Sequence, residues 1–190
     1  MDVLDDILNS LRLRGGVVVD GEFSGDFCVA AEFTPGHFAP LFPVPEKLVS
    51  YHYVRSGKLI VEVDGMAPGT LEAGSVAILP RNSPHRLASR AGLPPTDASK
   101  ISRVTAEGVH RVSTGTDGER SEIWCGFLEA ASTSDHPLLD ALPPLLTVKV
   151  VGGGAEWLDT SLRFLAGQQP SSEGVAKLAG MFLSPAIPEY

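Results

Sequence analysis

The stretch LEAGSVAILPRNSPHRL, which runs from Leu71 to Leu87, decides the fold of this chain. The apolar residues 76–79 predict a short buried strand, and Pro80 ends it. Asn82 suits a turn that requires a positive φ angle, and His85 follows directly after that turn. A histidine delivered in this way can belong to a metal site, to a ligand pocket or only to the corner of a barrel.

The bulk composition describes an ordinary globular protein. The chain has 190 residues, of which 43% are hydrophobic and 20% charged, and its formal net charge is -8. An acidic chain repels phosphate backbones, so we expect no direct DNA binding by it. No apolar run approaches the ~20 residues that span a bilayer, and the N-terminus lacks the pattern of a signal peptide. Cys28 and Cys125 are the only cysteines, which favours cytoplasmic thiols and a cytoplasmic protein without a membrane partner.

The order of the predicted elements is helix, strands, then helices. Helical spacing of apolar residues predicts an N-terminal helix over about 2–13. Between about 16 and 151, short β-rich runs separated by Gly, Pro, Asp and Asn indicate a sandwich or barrel. These runs are GVVVD, FCVAAEF, VSYHYV, LIVEVDG, SVAILP, EIWCGFL and LTVKVV. We therefore expect a mostly β fold.

Two segments depart from the strand pattern. Residues 89–121 show little periodicity, so we expect a lid, a binding loop or a disordered excursion there, with His110 as a solvated loop histidine. After a glycine joint at 152–154, apolar faces at 157–165 and 175–182 predict two amphipathic helices. The predicted domains are accordingly a barrel with its N-terminal helix over 1–151 and a helical hairpin over 152–190.

The pattern around His85 resembles the second motif of the cupin superfamily. A glycine turn at Gly74 leads into a strand, Pro80 and Asn82 form the turn, and Ser89 closes the motif. In that family the histidine of this motif points into a small double-stranded β-barrel, or jelly roll. The resemblance therefore implies a cupin-type barrel and places His85 inside it.

The first cupin motif is expected to end at Gly57. In metal-dependent cupins this motif carries two histidines and a glutamate, but the glutamate position holds Ser50 here, and the histidine pair would fall at 43–45, where none is present. His52 lies two residues beyond Ser50. Because side chains alternate along a strand, His52 shares a face with Ser50 and Val54 and can point inward.

Several segments, in order, resemble the N-terminal ligand-binding domain of AraC-type transcriptional regulators. They are LRLRGGVVVDGEFSGDFCVA, YHYVRSG, LPRNSPH, SEIWCGFLEA and HPLLDALPPLLTVKV. In that family a cupin-like barrel senses a small-molecule effector, two helices dimerise, and a separate helix-turn-helix part binds DNA. The resemblance implies an effector-binding domain that forms a homodimer, and no basic recognition helix is present here.

The predicted site lies where the inward residues of three strands meet. Two imidazoles and a thiolate suit a divalent metal, either zinc or else nickel or iron. The alternatives are hydrogen bonds to a polar ligand, or buried histidines and an inert buried cysteine. The predicted ligand-binding residues are His52, His85, Cys125, Val54 and Phe127, and the candidate metal ligands are His52, His85, Cys125 and His37.

Two main functions follow from these patterns, beside a third interpretation as a stand-alone oligomeric domain that binds only protein partners. The first is effector sensing and dimerisation in transcription regulation, as the AraC resemblance implies, with no enzymatic activity and no certain cofactor. The second is a metal-dependent cupin enzyme, such as a small dioxygenase or isomerase. The two differ in whether the histidine pair holds a catalytic metal.

Overall fold

The computed structural model describes residues 14–34, 48–106, 108–129 and 141–166. Two of the predicted helices, over 2–13 and 175–182, lie outside these residues, and so does His37. The described elements are β1 (Arg14–Ser24), β2 (Cys28–Ala31), β3 (Leu48–Ser56), β4 (Lys58–Val63), β5 (Gly69–Glu72), β6 (Ser75–Leu79), β7 (His85–Ala88), β8 (Thr96–Asp97), β9 (Ser102–Val104), β10 (His110–Gly115), β11 (Arg120–Glu129), β12 (Leu146–Lys149) and α1 (Gly153–Ala166).

The strands form two sheets, and the predicted mostly β fold is confirmed. One sheet has the order β12-β6-β3-β11-β1-β10-β9, and the other has the order β5-β4-β7-β2-β8. Apolar side chains from both sheets form one buried cluster that includes Val29, Val54, Leu87 and Ile123. The two sheets therefore enclose a common interior. Within the described residues no helix is long and apolar enough to cross a membrane.

The inner strand β3, which lies between β6 and β11, is buried on both faces, and its alternating side chains divide the core in two. Val54 belongs to the cluster between the sheets. Tyr51 and Tyr53 belong to a second cluster on the outer face of the seven-stranded sheet. Strand β11 follows the same rule, since Trp124 lies in the outer cluster and Cys125 in the inner one. This period of two is the pattern expected of strands covered on both sides.

Helix α1 covers the outer face of the seven-stranded sheet. Its buried residues Leu158, Leu162 and Leu165 join the cluster that contains Trp124, so the first of the two predicted C-terminal helices is confirmed. The predicted glycine joint at 152–154 is wrong, because α1 begins at Gly153.

The prediction of a long loop over residues 89–121 is also wrong. This segment contains β8, a short 3-10 helix at Ala98–Lys100, β9 and β10. Strands β8 and β10 pair in parallel with β2 and β1. Most side chains of these peripheral strands are exposed, so no apolar periodicity marks them. His110 begins β10 and lies 3.0 Å from Ser102 (Nδ1 to Oγ), so it is not a solvated loop histidine.

Candidate functional site

Two strands from opposite sheets bring the predicted histidines together. His52 lies in the middle of β3, and His85 is the first residue of β7. Their Nε2 atoms are 2.6 Å apart, and the ring centroids are separated by 4.7 Å at an interplanar angle of 58°. Both side chains are buried. The structure thus brings two of the predicted pocket residues, 33 positions apart in the sequence, into direct contact.

The protons of this pair can be assigned from its surroundings. His85 Nδ1 lies 2.7 Å from the carbonyl oxygen of Ser83, which can only accept a hydrogen bond. His85 therefore carries its proton on Nδ1 and presents a lone pair at Nε2. His52 must then donate from Nε2. In this assignment His52 Nδ1 is a buried acceptor, and no described residue donates to it.

Burial keeps both imidazoles neutral. Loss of solvation lowers the pKa of His52 well below its ordinary value of 6.5, and the neighbouring His85 lowers it further. Burial also lowers the pKa of His85 to about 4, against the opposing effect of the hydrogen bond to Ser83. At neutral pH the pair therefore contains two uncharged rings joined by one hydrogen bond.

Cys125 lies beside this pair on the neighbouring strand. It is the register partner of His52 between β11 and β3, and its side chain belongs to the cluster between the sheets. Burial, and secondarily the charge of Asp20, raise the pKa of its thiol far above the usual value. Cys125 is therefore a protonated, weakly polar group at neutral pH, which is the opposite of an activated thiolate.

A cavity of about 390 Å³ opens against the histidine pair. This volume lies within the range of about 300–1,000 Å³ that is usual for small-molecule sites. The described wall is mostly apolar, with His52, His85 and Cys125 at the inner end and Glu32, Thr34 and Asp97 exposed at the mouth. The other lining residues are Val19, Phe23, Val29, Ala30, Ala31, Phe33, Pro84, Leu87, Ala98, Val112 and Ile123.

Two of the predicted ligand-binding residues lie behind this wall. Val54 and Phe127 point into the cluster between the sheets, as their strand parity predicts, but the described lining of the cavity does not include them. Phe127 instead packs edge-on against Phe33, with ring centroids 6.5 Å apart. It supports a lining residue without lining the cavity itself.

Sequence reasoning missed the residues that form the mouth of the cavity. Asp97 and Ala98 come from the segment that we expected to be a loop, and Glu32 follows the end of β2. Ala30 and Asp97 are register partners in the parallel pair β2–β8, which brings the two acids to one end of the sheet. The only signal in the sequence was the run CVAAEFT, whose apolar residues end at a charge.

Asn82 connects the turn before His85 to the wall of the cavity. Its φ of 47° confirms that the turn requires a positive angle. Its side chain accepts a hydrogen bond from the backbone N–H of Phe33 at 3.2 Å and donates one to the Phe33 carbonyl at 2.8 Å. A glycine would satisfy the angle but make neither bond, so Asn82 has a second role that the motif alone does not show.

Arg55 links the opposite face of β3 to helix α1. Its guanidinium lies 4.6 Å from the ring centroid of Trp124, which is a cation–π distance. It forms ion pairs with Asp20 at 3.4 Å, Glu122 at 3.6 Å and Asp159 at 3.3 Å. The contact with Asp159 lacks hydrogen-bond geometry, so it acts through charge alone. The strand that carries His52 is thus tied to the helix by Arg55, three residues further along the strand.

A family model described as "Cupin" matches residues 2–173, which is most of the chain. The chain is a cupin. The motif resemblance around His85, the two facing sheets and the inward histidines agree with this membership. No curated protein matches the sequence.

Several solved structures are similar to this chain at low sequence identity and with TM-scores below 0.5. The structure of fatty-acid-bound ToxT, an AraC-family regulator from Vibrio cholerae, has 12% identity and a TM-score of 0.47, and the match covers 92% of this chain and 54% of that one. YhaK from Escherichia coli has 8% identity and a TM-score of 0.35, with 74% and 41% covered. A cupin protein from Bacteroides fragilis has 11% identity and a TM-score of 0.30, with 69% and 74% covered. This cupin thus spans about half the length of the ToxT chain.

Metal-dependent members of the family need at least three ligands, and the described residues of this cupin do not fit that requirement. No group of three or more His, Cys, Asp or Glu side chains among them could hold a metal ion. The two Nε2 atoms share a hydrogen bond at 2.6 Å, and Cys125 is a protonated thiol. The position of the family glutamate holds Ser50, which is fully buried. His37, the fourth candidate, lies outside the described residues.

Proposed function

We propose that this cupin is the effector-sensing and dimerising domain of an AraC-type transcriptional regulator. The observation that carries the proposal is the apolar cavity that ends at the neutral pair His52–His85. An apolar pocket with a few fixed polar groups is the usual construction of a small-molecule site. Neutral imidazoles and a protonated thiol suit recognition better than acid–base or nucleophilic catalysis at neutral pH.

Strand β3 provides the route from the cavity to helix α1. His52 lines the cavity, whereas the adjacent Tyr53 donates a hydrogen bond to the carbonyl of Ala155 in α1 at 3.3 Å. Arg55, on the same outer face, forms its ion pair with Asp159 of that helix. An effector that binds one arrangement of β3 better than another shifts the packing of α1 toward that arrangement.

Fluorescence titration with N-phenyl-1-naphthylamine, a neutral apolar dye, tests the cavity as a binding site. Ala98 lines the cavity, so Ala98→Trp is expected to fill part of it and weaken dye binding at least about tenfold. Thr70→Trp, on an exposed position of β5, is the matched control and is expected to bind like the wild type. Equal loss in both variants, or no dye binding by the wild type, would refute a ligand site in the cavity.

Dimerisation is tested separately by gel filtration with light scattering at micromolar protein. A dimer supports the proposed role, and a strict monomer contradicts it.

The rival function, a metal-dependent dioxygenase or isomerase, is distinguished by metal analysis of protein purified without a histidine tag. Stoichiometric iron, nickel or manganese that is lost in His52→Ala and His85→Ala, together with turnover, would favour the enzyme.

A further inference from the structure

The backbone of Phe33 is held by a side chain at the point where the β2–β7 ladder ends. The antiparallel pairing of these strands ends at the register pair Ala31 and His85. The residue before His85 is Pro84, which has no backbone N–H and cannot donate a hydrogen bond to β2. Beyond it, the side-chain amide of Asn82 accepts from the backbone N–H of Phe33 at 3.2 Å and donates to the Phe33 carbonyl at 2.8 Å. One side chain thus takes the place of a backbone partner.

The ring of Phe33 lies between the cavity and the core. It belongs to the cluster between the two sheets and is 9% exposed. Phe127 packs edge-on behind it, with ring centroids 6.5 Å apart. Phe33 also lines the cavity, next in the chain to Glu32 and Thr34 at the mouth. The ring therefore forms a wall just inside the entrance, where it can contact a ligand.

The other phenylalanine of the described lining is held by strands on both sides. Phe23 lies in β1, where it is the register partner of Thr114 in β10 and of Ser121 in β11. Its ring stacks on Phe27, with centroids 4.7 Å apart. Phe33, in contrast, lies beyond the end of β2. Its position in the wall therefore depends on Asn82 in a way that the position of Phe23 does not.

We propose that Phe33 limits the width of the ligand that this cavity accepts, and that Asn82 is the positioning residue that keeps Phe33 in place. This inference rests on the proposed sensing function and assigns the size selectivity of that same site. Because Phe127 packs behind the ring, the ring gives way to a broad ligand only when the backbone of Phe33 moves away from Asn82. The cavity therefore favours a narrow apolar body over a broad one.

Isothermal titration with nonanol and cyclooctylmethanol tests the proposal, because the two alcohols share their carbon number and head group and differ in width. The quantity compared between variants is the ratio of the two affinities. A loss of folded or binding-competent protein weakens both affinities by the same factor, so it leaves the ratio unchanged. The ratio therefore separates a role in selectivity from a merely structural role.

Substitutions of Phe33 test the width limit. Phe33→Ala is expected to shift the ratio toward cyclooctylmethanol at least about tenfold, since a single methylene group is already worth about that much in an apolar pocket. Phe33→Leu, which removes less of the side chain, is expected to shift it in the same direction by a smaller factor. A ratio that stays as in the wild type in both variants, or moves toward nonanol, overturns the inference and leaves the ligand site intact. Binding of neither alcohol by the wild type overturns the sensing function as well.

Two further variants test the part assigned to Asn82. Asn82→Gly tolerates the positive φ angle but loses both hydrogen bonds to Phe33, so it is expected to shift the ratio severalfold toward cyclooctylmethanol. Val148→Ala truncates a buried residue of β12 outside the described lining; it is the matched control for lost stability and is expected to keep the wild-type ratio. A shift in Phe33→Ala without one in Asn82→Gly overturns the positioning role, and an equal shift in Val148→Ala overturns both assignments.

Discussion

Acidification is expected to destabilise this protein through its histidine pair well before most carboxylates titrate. The folded-state pKa of His85 is about 4, below its ordinary value of 6.5, because burial disfavours the charged ring. Between these two values the unfolded chain binds more protons than the folded one, so the free energy of unfolding falls as the pH falls. The stability due to this group is complete above about pH 6.5 and is lost progressively toward about pH 4.

The size of the effect follows from the same two pKa values. At about pH 5 His85 is almost fully protonated in the unfolded chain and about one-tenth protonated in the folded one. Integration from about pH 7.5 to about pH 5 gives a loss of about 2 kcal/mol for this residue alone. The pKa of His52 is shifted in the same direction, so its contribution adds to the loss.

Equilibrium urea unfolding, repeated at steps of about half a pH unit, measures this dependence. The variant His52→Gln with His85→Gln keeps two amides that can hydrogen-bond but do not titrate. Between about pH 7.5 and about pH 5, its free energy of unfolding is expected to fall by at least about 2 kcal/mol less than that of the wild type. This difference does not depend on the stability of the variant at about pH 7.5. Thr70→Gln, which introduces the same amide at an exposed position of β5, is the control and is expected to follow the wild type. Parallel curves for the wild type and the double variant would refute the assignment of two neutral buried rings.

Three further predictions concern residues around the cavity and helix. In urea unfolding, Asn82→Gly is expected to lower the free energy of unfolding by about 1–3 kcal/mol, because it loses two hydrogen bonds. Asn82→Ala is expected to lower it by about 1 kcal/mol more, because alanine is strained at a positive φ angle. Equal values for the two variants would contradict a separate contribution from backbone strain. Arg55→Met is expected to cost about 1–2 kcal/mol by the same measurement, because it removes the ion pairs of Arg55 and its cation–π contact, while Asp20 keeps its hydrogen bonds from Arg111; an unchanged midpoint would contradict it. Cys28 and Cys125 are expected to react with iodoacetamide at least about a hundredfold faster in urea than when folded, because both are buried with raised pKa values; rapid labelling of the folded protein would contradict it.

The sequence revealed those strands that are apolar enough to be recognised alone. All seven predicted β-rich runs correspond to strands, because runs such as SVAILP are buried on both faces. The five missed strands, β5, β7, β8, β9 and β10, have two to six residues, and most of them carry exposed side chains. Their pairing depends on partners such as β1 and β2, which no local pattern reports. These five strands therefore form because of their tertiary pairing and not because of a local sequence pattern.

The residues of the candidate site were likewise predictable from the sequence only where a local pattern marks them. The convergence of His52 and His85 was predicted, because strand parity and a turn motif both act locally. The acids at the mouth were not, because Glu32 and Asp97 are far apart in sequence and meet only through the parallel pairing of β2 and β8. The second role of Asn82 was equally hidden, since its partner Phe33 lies 49 residues away.

The hydrogen bond to Ser83 determines what this pair of imidazoles can do. A carbonyl on Nδ1 of His85 turns the Nε2 lone pair inward, which is also how metal-binding histidines are commonly oriented. In this cupin that lone pair meets His52, and the family glutamate position holds Ser50, which cannot supply an anionic ligand. The same orientation that would serve a metal therefore joins the two rings to each other. Among the described residues, a metal site at this pair would therefore require an anionic ligand at a position such as 50 as well as separation of the two rings.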